Sequence, residues 1–562
     1  MSCLHTDPVH CAGDARSSGY SVPREAELLF NKKLLGHPSI FSLLPSEVGR
    51  MAKKVRFVGS DKTSLPMNWR VGESLAALHA LEAALVNGPH TALPDVHVPV
   101  DCGPAGANVD ATHDPTKLTK YIVNTDRFER SATPYRAASS CIYKCADGRW
   151  FKLHGSLNPD GVLDVLGLLH DHLAASAEEA QAIYREKLSK LPSSQVRGMI
   201  ADAGECGDIC NSFDEYARSE QGQANAHVGL FELRHVPSKF QQPSWWPSTQ
   251  QTSVARPLPG LKIIELARII AGPSVCRCLA ELGASVIHIN SPDIPDIPSL
   301  HLDLNWGKWC AYVDLTTAEG RRTLRDLVLE ADVVINGYRP GALDKFGFSF
   351  TDIIDMLGHR DRGIVSVRLN CYGWYGPSSH RPGWQPVSDA YTGISHGYGQ
   401  ALGLADDEPV SPMFPAADYS TGLVGAIAII SALIQRGEKG GSYQVDLALN
   451  YYNQFLARDC GAYPNDVWKE LLESTGGLGF RAQHGMEKTA TRTLRFLREK
   501  GAIREDFFEI RHSGILGVDV HCVKPAIYFP DGEVKLGYNV GVRGNGRDKA
   551  KWPADLMTEI VV

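Results

Sequence analysis

A single acidic residue precedes the most apolar helix that the sequence predicts. The stretch PAADYSTGLVGAIAIISALIQRG, residues 415–437, contains Asp418 near its start and then stays apolar for several turns. Backbone N–H groups and the helix dipole stabilise a carboxylate at a helix N-terminus, where Asp is also a common cap. The same position suits a nucleophile that forms covalent acyl intermediates. From its position alone, Asp418 is therefore a cap, a nucleophile or both.

The chain that must position this residue has the composition of an ordinary globular protein. Of its 562 residues, 43% are hydrophobic and 22% are charged, which is typical of a soluble protein with a large core. The formal net charge is −7, whereas a protein that binds nucleic acid usually carries a basic excess. We therefore expect no nucleic acid as the main partner.

The thirteen cysteines form neither a metal-binding nor a disulfide pattern. The closest pairs are Cys141/Cys145, Cys206/Cys210 and Cys276/Cys278. None of these pairs has the Cys-x-x-Cys spacing of a zinc site. We expect no metal site, and we expect reduced thiols, which are typical of a reducing compartment.

Targeting signals are not evident in the sequence. The start, MSCLHTDPVHCAGDARSSGY, lacks the basic region and apolar run of a signal peptide. The most apolar segment, residues 422–434, is shorter than the roughly 18 residues that indicate a membrane span. The final TEIVV is not a peroxisomal signal. The expectation is a cytoplasmic protein with no membrane partner, with mitochondrion and peroxisome as open alternatives.

Differences in composition and in the spacing of apolar residues divide the sequence into four regions. We expect helices and loops over residues 1–134, a small α+β domain over 135–245 and a large domain over 256–460. Over 461–562 we expect C-terminal helices and a hairpin that pack back on the large domain. The small domain opens with CIYKCADGRWFKLHG, in which Asp-Gly between two apolar runs predicts a β-hairpin. The C-terminal hairpin is expected in AIYFPDGEVKLGYNV, and a Pro-, Ser- and Gln-rich linker is expected over 236–258.

The large domain alternates apolar strands with helices. Strands are predicted at 261–266, 285–290, 332–336 and 363–369, and helices at 272–283 and 317–331. This alternation predicts a Rossmann-like, doubly wound parallel sheet with helices on both faces. The turn after the first strand reads ARIIAGP and lacks the Gly-x-Gly-x-x-Gly pattern, which argues against NAD or FAD.

Five segments between residues 256 and 450 follow one another in the order of a known family. They read RPLPGLKIIELARIIAGPSVCRCLAELGASVIHIN, NWGKWCAYVDLTTAEGR, ADVVINGYRPGALDKFG, CYGWYGPSSHRPGW and PAADYSTGLVGAIAIISALIQRGEKGGSYQVDLAL. In this order they resemble the family III CoA-transferases (CaiB/BaiF family), which include formyl-CoA transferase and α-methylacyl-CoA racemase. The resemblance implies the fold of that family, acyl-CoA and a small carboxylic acid as substrates, no tightly bound cofactor, and a homodimer.

By this resemblance Asp418 is the catalytic residue, since the frame Ala-Ala-Asp-Tyr-Ser-Thr-Gly matches the aspartate of the family. Its carboxylate attacks an acyl-CoA thioester and gives a mixed anhydride. The released CoA thiolate then attacks this anhydride and leaves an aspartyl-CoA thioester, into which an acceptor carboxylate exchanges. Such nucleophilic catalysis splits one difficult exchange into easier steps.

Three basic residues match basic positions of the family pattern and are expected to bind CoA. Arg268 follows the first strand of the large domain, Lys308 lies in NWGK, and Arg339 lies in GYRPG. Cations at the carboxyl ends of parallel strands suit phosphates. The alternative for each of them is solvated surface charge, which is the usual environment of an Arg or Lys.

Two other functions stay open. A racemase would need a second acid/base group beside Asp418, but the position of the histidine in family racemases holds Trp384, which cannot carry a proton. A non-catalytic CoA-binding protein is favoured by the loss of two cations, replaced by Trp306 and Trp309, and disfavoured by the intact frame around Asp418.

The first half contains a stretch similar to the Asp418 helix. In MNWRVGESLAALHALEAAL, Asn68 stands where Asp418 stands in the later helix. A decayed and rearranged tandem repeat would explain this match. The chance similarity of two Ala- and Leu-rich helices would explain it equally well.

Overall fold

The computed structural model describes residues 19–87, 96–99, 122–126, 134–170, 174–250, 252–253, 255–530 and 534–556. Its α-helices are α1 Val22–Leu28, α2 Pro38–Phe41, α3 Val48–Met51, α4 Val71–Val86, α5 Pro134–Ala138, α6 Asp160–Leu166, α7 Ala177–Leu188, α8 Ser193–Asp202, α9 Phe213–Arg218, α10 Glu220–Asn225, α11 Ala271–Glu281, α12 Pro298–Leu304, α13 Ala318–Glu330, α14 Phe350–Met356, α15 Gln385–Tyr391, α16 Ile394–Ala401, α17 Ala416–Lys439, α18 Leu449–Phe455, α19 Asn465–Ser474 and α20 Met486–Glu499. Its strands are β1 Val55–Val58, β2 Val96–Pro99, β3 Ile142–Lys144, β4 Trp150–His154, β5 Cys206–Ile209, β6 Glu232–Val236, β7 Lys262–Leu266, β8 Ser285–Asn290, β9 Lys308–Tyr312, β10 Val333–Asn336, β11 Val365–Asn370, β12 Ser442–Ala448, β13 Phe508–Ser513 and β14 Val518–Val523.

The main sheet has seven strands in the order β6-β12-β11-β10-β7-β8-β9. Strands β7 to β12 are parallel, and β6 joins the edge in the antiparallel direction. After β7 the chain builds β8 and β9 on one side and then β10, β11 and β12 on the other. This confirms the predicted mixed α/β class with a largely parallel sheet. The winding reverses between β7 and β10, and ligands commonly bind at the carboxyl ends of strands at such a point.

Alternating side chains of these strands fill two separate cores. Ile263 and Val286 belong to the core shared with α11 and α17, whereas their neighbours Ile264 and Ile287 belong to the core on the opposite face. Successive side chains of a strand point to opposite faces, so a sheet covered on both sides needs nearly continuous apolar strands. All six residues of β8 are buried, as this rule requires.

Helix α17 is the central helix of the larger core and packs against α11 and α4. It spans 24 residues, so the predicted apolar segment 422–434 is only its middle. By length and mean hydropathy of 1.6 it could cross a membrane, but 83% of its apolar window is buried inside the protein. Gly422 permits the contact with α11, because a Cβ there would lie 2.5 Å from Ser274 Cβ.

A three-stranded antiparallel sheet, β3-β4-β5, forms the core of the smaller α+β unit. It contains the predicted hairpin, with Ile142 opposite Lys152. One boundary differs from the expectation. Strand β6 lies within the region 135–245 assigned to the small domain, yet Glu232 pairs with Asp446 of β12 in the main sheet. Antiparallel pairing at the sheet edge pulls this last segment into the larger domain.

The predicted C-terminal hairpin was placed too late in the sequence. The structure has the hairpin at β13 and β14, and the described residues of 526–540 form no strand. Residues of this segment pack back on the large domain, as expected of the C-terminal region. Gly537 N donates to Glu281 O at 2.8 Å, and Tyr538 stacks on Trp306 with ring centroids 5.8 Å apart.

The first region also contains a strand–helix–strand unit. Strands β1 and β2 pair in parallel, with Val55 opposite Val96, and α4 lies between them in sequence. The side chain of Glu73, the third residue of α4, is completely buried. Asn68 precedes the helix by three residues, so Glu73 rather than Asn68 holds the helical position that Asp418 holds in α17.

Candidate functional site

Asp418 is the third residue of α17 and is partly buried. Its backbone N–H donates to Pro415 O at 3.0 Å, in the first turn of the helix. The first turn of a helix carries partial positive charge from backbone N–H groups. Asp418 therefore lies where an anion, or an oxyanion formed on its carboxyl group, is stabilised.

The carboxyl group of Asp418 faces a cleft at the carboxyl ends of β7, β10 and β11. The loops that follow these strands line the cleft together with residues 381–385 and two residues of the small unit, Ser156 and Cys206. The enclosed volume is ≈ 160 Å³, well below the roughly 300–1,000 Å³ of pockets for drug-sized ligands. The enclosed part therefore suits an acyl group or thioester, with the remainder of a larger ligand outside it.

Close packing fixes the loops on two sides of this cleft. A Cβ on Gly272 would lie 2.4 Å from Ala267 Cβ, and one on Gly337 would lie 2.9 Å from the same atom. Between Ala267 and Gly272, Ile269 has φ of 70°, which is strained for a β-branched residue. The loop after β7 thus has little room to move, and it carries Arg268.

Burial and a second carboxyl group raise the pKa of Asp418 to about 8. Burial is the larger cause, and the charge of nearby Asp389 adds to it. No side-chain hydrogen bond to the Asp418 carboxylate occurs within the described ranges. Its anion is poorly solvated, a property that marks functional carboxyl groups more often than structural ones.

Asp389 belongs to a buried polar network behind the cleft. Asn453 Nδ2 donates to Asp389 Oδ1 at 2.9 Å, and Gln385 Nε2 donates to Asp389 Oδ2. Burial raises the pKa of Asp389 to about 7. Ser388 extends the network, because it accepts from Asn453 Nδ2 at 3.0 Å. Gln385 is the member of this network that lines the cleft.

Arg268 and Arg339 line the cleft, as the sequence predicts. Arg268 Nη1 donates to Pro295 O at 2.6 Å, and its guanidinium lies 5.9 Å from the centre of the Trp384 ring. Arg339 is exposed and donates to Gly204 O at 3.0 Å. Each guanidinium has five N–H donors, so both keep donors for an anionic ligand.

Lys308 does not reach the cleft. Its side chain is fully buried on β9, its Nζ lies 2.8 Å from Glu265 Oε2, and it donates to Pro273 O at 2.8 Å. Burial opposes ionisation of Glu265, but Lys308 and His288 lower its pKa to about 2. The structure contradicts the predicted contact with CoA, because a buried, ion-paired ammonium group cannot contact a phosphate in the cleft.

Arg381, Gln385 and Asp389 were not predicted as site residues from the sequence. Arg381 lines the cleft and lies 2.6 Å from buried Asp208 of the small unit, which anchors that unit at the cleft. Arg381 lies in a segment that resembles the family, CYGWYGPSSHRPGW, and Gln385 and Asp389 follow shortly after it. The four-residue spacing of Gln385 and Asp389 predicts their contact on a helix, but not their proximity to Asp418.

Trp384 lies in the cleft, stacked on His154 with ring centroids 5.6 Å apart. Its Nε1 donates to Ser156 Oγ at 3.0 Å. Among the described residues that line the cleft, none is a histidine. The imidazole expected of a racemase is therefore not found opposite Asp418 in this part of the structure.

Comparisons with known proteins find a relative that aligns with nearly the whole chain. Residues 258–457 match the model of CoA-transferase family III. The chain is similar to an acetyl-coenzyme A transferase, nodX, of Hypoxylon pulicicidum, with 40% identity over 97% of this chain and 96% of that protein. It is also similar to an acyl-CoA transferase of Gibberella moniliformis, with 32% identity over 75% and 76% of the two chains.

Among solved structures, a hypothetical protein (Rv3272) from Mycobacterium tuberculosis is similar to part of the chain. The sequence identity is 29% and the TM-score is 0.32, over 36% of this chain and 57% of that chain.

Proposed function

The chain belongs to CoA-transferase family III, and from this membership we propose that it transfers CoA from an acyl-CoA to a free carboxylic acid through a covalent intermediate on Asp418. It is an enzyme of the CoA-transferase type, as its relatives are. The observation that carries the proposal is a poorly solvated carboxyl group, at a helix N-terminus, facing a cleft at the carboxyl ends of parallel strands.

Four steps complete the exchange. The Asp418 carboxylate attacks the thioester carbonyl and the C–S bond breaks. CoA leaves as a thiolate, and a mixed anhydride of Asp418 and the acyl group remains. The thiolate attacks the aspartyl carbonyl carbon, which releases the first carboxylic acid and leaves aspartyl-CoA. An acceptor carboxylate attacks that thioester and again expels the thiolate, which finally attacks the acceptor acyl carbon and frees Asp418. Each step forms one bond and breaks one bond, with no external oxidant or reductant.

The N-terminal turn of α17 supports these steps electrostatically. Two of them pass through an oxyanion on the aspartyl carbon of Asp418, and backbone N–H groups with the helix dipole stabilise such charge. The first requirement is ionisation of Asp418, which its raised pKa makes dependent on pH.

Arg268 and Arg339 are the proposed contacts for the phosphates of CoA. Both project from loops after parallel strands at the mouth of the cleft, where a pyrophosphate would lie once the thioester reaches Asp418. Arg268→Ala and Arg339→Ala are each expected to raise the KM for acyl-CoA roughly tenfold. This factor corresponds to the loss of one charge-assisted hydrogen bond. Lys439→Ala, at the far end of α17, is the control and leaves KM unchanged.

The large domain is proposed to be Rossmann-like and doubly wound, on the basis of its strand order. The assembly is proposed to be a homodimer in the cytoplasm, on the basis of the family resemblance and the reduced cysteines. The ten described cysteines are buried and no disulfide joins any two of them, which agrees with a reducing compartment. Light scattering of the full chain would measure the mass of one or two copies and decide the assembly.

The direct test of the activity is chromatography of CoA esters after incubation of the full chain with acyl-CoA donors and free acids. Acetyl-CoA is the first donor, because the relative with 40% identity is named an acetyl-CoA transferase. A new acyl-CoA that contains the added acid supports the proposal. Binding of CoA esters without exchange would support a non-catalytic protein. Exchange of the α-proton of a 2-methylacyl-CoA in D₂O, without transfer, would support a racemase.

A further inference from the structure

A buried amide oxygen in the cleft has no partner. The side chain of Gln385, the first residue of α15, is only 2% exposed, yet it lines the cleft together with Asp418. Its Oε1 atom makes no hydrogen bond within the described part of the chain. Buried polar atoms are nearly always paired, and each exception calls for an explanation. A donor on the ligand would explain an unpaired acceptor on a side chain that lines a binding cleft.

The orientation of this amide follows from its neighbour. The Nε2 group of Gln385 donates to Asp389 Oδ2, and the other oxygen of Asp389 accepts from Asn453 Nδ2 at 2.9 Å. An ionised carboxylate accepts hydrogen bonds and cannot donate them. Rotation of the amide by 180° would place two oxygens in contact, so Asp389 holds the oxygen of Gln385 away from its own carboxylate.

Burial raises the pKa of Asp389 to about 7. As the pH rises past this value, the ionised form of Asp389, which accepts from the Gln385 amide, predominates. The cleft lining then contains the unpaired acceptor Gln385 Oε1 together with Asp418.

We propose that Gln385 Oε1 accepts a hydrogen bond from a neutral N–H or O–H donor beside the reacting carbonyl of the substrate, with Asp389 as the residue that positions it. The proposal rests on the proposed function, which identifies the cleft as the acyl-CoA site. Two sources supply this chemistry. One is a hydroxyl group on the acyl chain, and the other is the amide N–H of CoA nearest the sulfur. A carboxylate substituent at the same place is repelled by the amide oxygen.

Binding measurements test the proposal without turnover. The probes are butyryl-CoA and 3-hydroxybutyryl-CoA, which differ by one hydroxyl group, and calorimetry measures their affinities for the full chain with Asp418→Asn. In this background Gln385→Met removes the acceptor while keeping the length of the side chain. Loss of one buried hydrogen bond corresponds to about tenfold in affinity.

The two sources give different patterns. If the hydroxyl is the donor, the 3-hydroxybutyryl ester binds about tenfold more tightly than the butyryl ester, and Gln385→Met reduces that ratio to about one. If the CoA amide is the donor, Gln385→Met weakens both esters about tenfold and the ratio does not change. Equal affinity of the parent and Gln385→Met, within about twofold for both esters, would overturn the proposal.

Asp389→Asn is the matched variant for the positioning role. Its side-chain oxygen continues to accept from Asn453, so its NH₂ group meets Gln385 and turns the amide N–H groups towards the cleft. A CoA amide N–H then loses its acceptor and both esters weaken, whereas a hydroxyl keeps its preference because it accepts as well as donates. If Gln385→Met does not fold, Gln385→Asn withdraws the oxygen by one methylene and replaces it in the same measurement.

Transfer by the wild-type chain is measured separately, so that the two proposals fail separately. Binding that depends on Gln385, in a protein that transfers no CoA, contradicts the proposed function alone. Transfer that proceeds with binding independent of Gln385 contradicts this inference alone.

Discussion

Two helices that each lie between a pair of parallel strands treat an acidic side chain in opposite ways. Helix α17 is the last of three helices, after α15 and α16, between β11 and β12, and α4 lies between β1 and β2. The two helices pack against each other, and each has an acid at its third residue, Asp418 in α17 and Glu73 in α4. The shared position of the acid agrees with the interpretation of the first region as a decayed repeat.

The environments of the two acids differ in solvation and access. Glu73 accepts from Tyr20 at 2.8 Å and from Tyr463 at 3.0 Å, and it is completely buried. Asp418 has no such donors within the described residues and lines an open cleft. Burial raises the pKa of both carboxyl groups, so a raised pKa by itself does not identify the reactive one. Access to a cleft distinguishes Asp418, the proposed nucleophile, from Glu73.

The largest expected difference between the helices is in catalysis. Asp418→Asn is expected to lower kcat on the order of 10³-fold or more, because the variant has no nucleophilic carboxylate. Glu73→Gln keeps hydrogen bonding with both tyrosines and is expected to change kcat by less than about twofold. Steady-state CoA transfer measures both. Adding Asn68→Asp to Asp418→Asn does not restore activity, because Asn68 is only 6% exposed and does not line the cleft. A loss of kcat in Glu73→Gln as large as that in Asp418→Asn would contradict the different roles of the two acids.

For stability, the larger effect is expected from substitution of Glu73 and the smaller from substitution of Asp418. Glu73→Ala leaves two tyrosine hydroxyl groups without their acceptor and opens a cavity, so the free energy of unfolding should fall by about 2–4 kcal/mol. Asp418→Ala removes a poorly solvated carboxyl group and should not reduce stability at pH 8. Denaturant unfolding of the two variants measures this difference, and a greater loss in Asp418→Ala would reverse the assigned roles.

Glycines in the two helices sharpen the comparison. Gly422→Ala should destabilise the protein by about 1–3 kcal/mol through overpacking against Ser274. Gly72, in α4, has no atom near the position of an added Cβ. Gly72→Ala should therefore raise the free energy of unfolding by roughly 0.5 kcal/mol. Thermal or denaturant unfolding checks both signs, and similar effects at the two glycines would show that α17 is not packed more closely than α4.

A smaller effect is expected in the pH dependence of the reaction. Since the proposed nucleophile Asp418 must be ionised to attack, kcat/KM should rise with pH with a midpoint at about 8 and level off above it. Removing the negative charge of its neighbour by Asp389→Asn should shift this rise to lower pH. A pH–rate profile of each protein measures the shift. An unchanged or higher midpoint in Asp389→Asn would mean that the charge of Asp389 does not act on Asp418.

The same raised pKa predicts a dependence of stability on pH. Folding raises the pKa of Asp418 from 3.8 to about 8, so the native state keeps a proton that the unfolded state releases. The stability of the wild type relative to Asp418→Asn should fall as pH rises between these two values and stay constant above them. Denaturant unfolding from pH 5 to pH 9 checks the slope, and a rising relative stability would contradict the assignment.

The sequence predicts the elements of the large domain better than the contacts between them. Apolar runs identify strands such as β8 at residues 285–290, and the structure has the same bounds. Strands β9 and β12 were not predicted as strands. β9 directly follows a loop and β12 directly follows two glycines, and each lies in a segment that was identified only by its resemblance to the family. The failure over 526–540 has a similar origin, because alternating apolar residues around Asp-Gly predict a local hairpin, whereas tertiary contacts with α11 determine the observed conformation.

In the site, as in the fold, the sequence predicts local features but not the contacts between residues that are distant in the chain. The frame of Asp418 and the loop positions of Arg268 and Arg339 follow from sequence, and all three line the cleft. The buried ion pair of Lys308 could not be predicted from the local sequence, because its partner Glu265 lies on a strand two positions away in the sheet. Nor could the proximity of Asp389 to Asp418, since only the fold brings α15 to the start of α17.

The central claim, covalent catalysis by Asp418, is tested most directly by intact-protein mass spectrometry after mixing the full chain with acyl-CoA donors. We predict an added mass of an acyl group or of CoA that hydroxylamine removes, that maps to the peptide containing Asp418, and that is absent from Asp418→Asn. An adduct that persists in Asp418→Asn, or CoA transfer at the wild-type rate by that variant, would contradict the account.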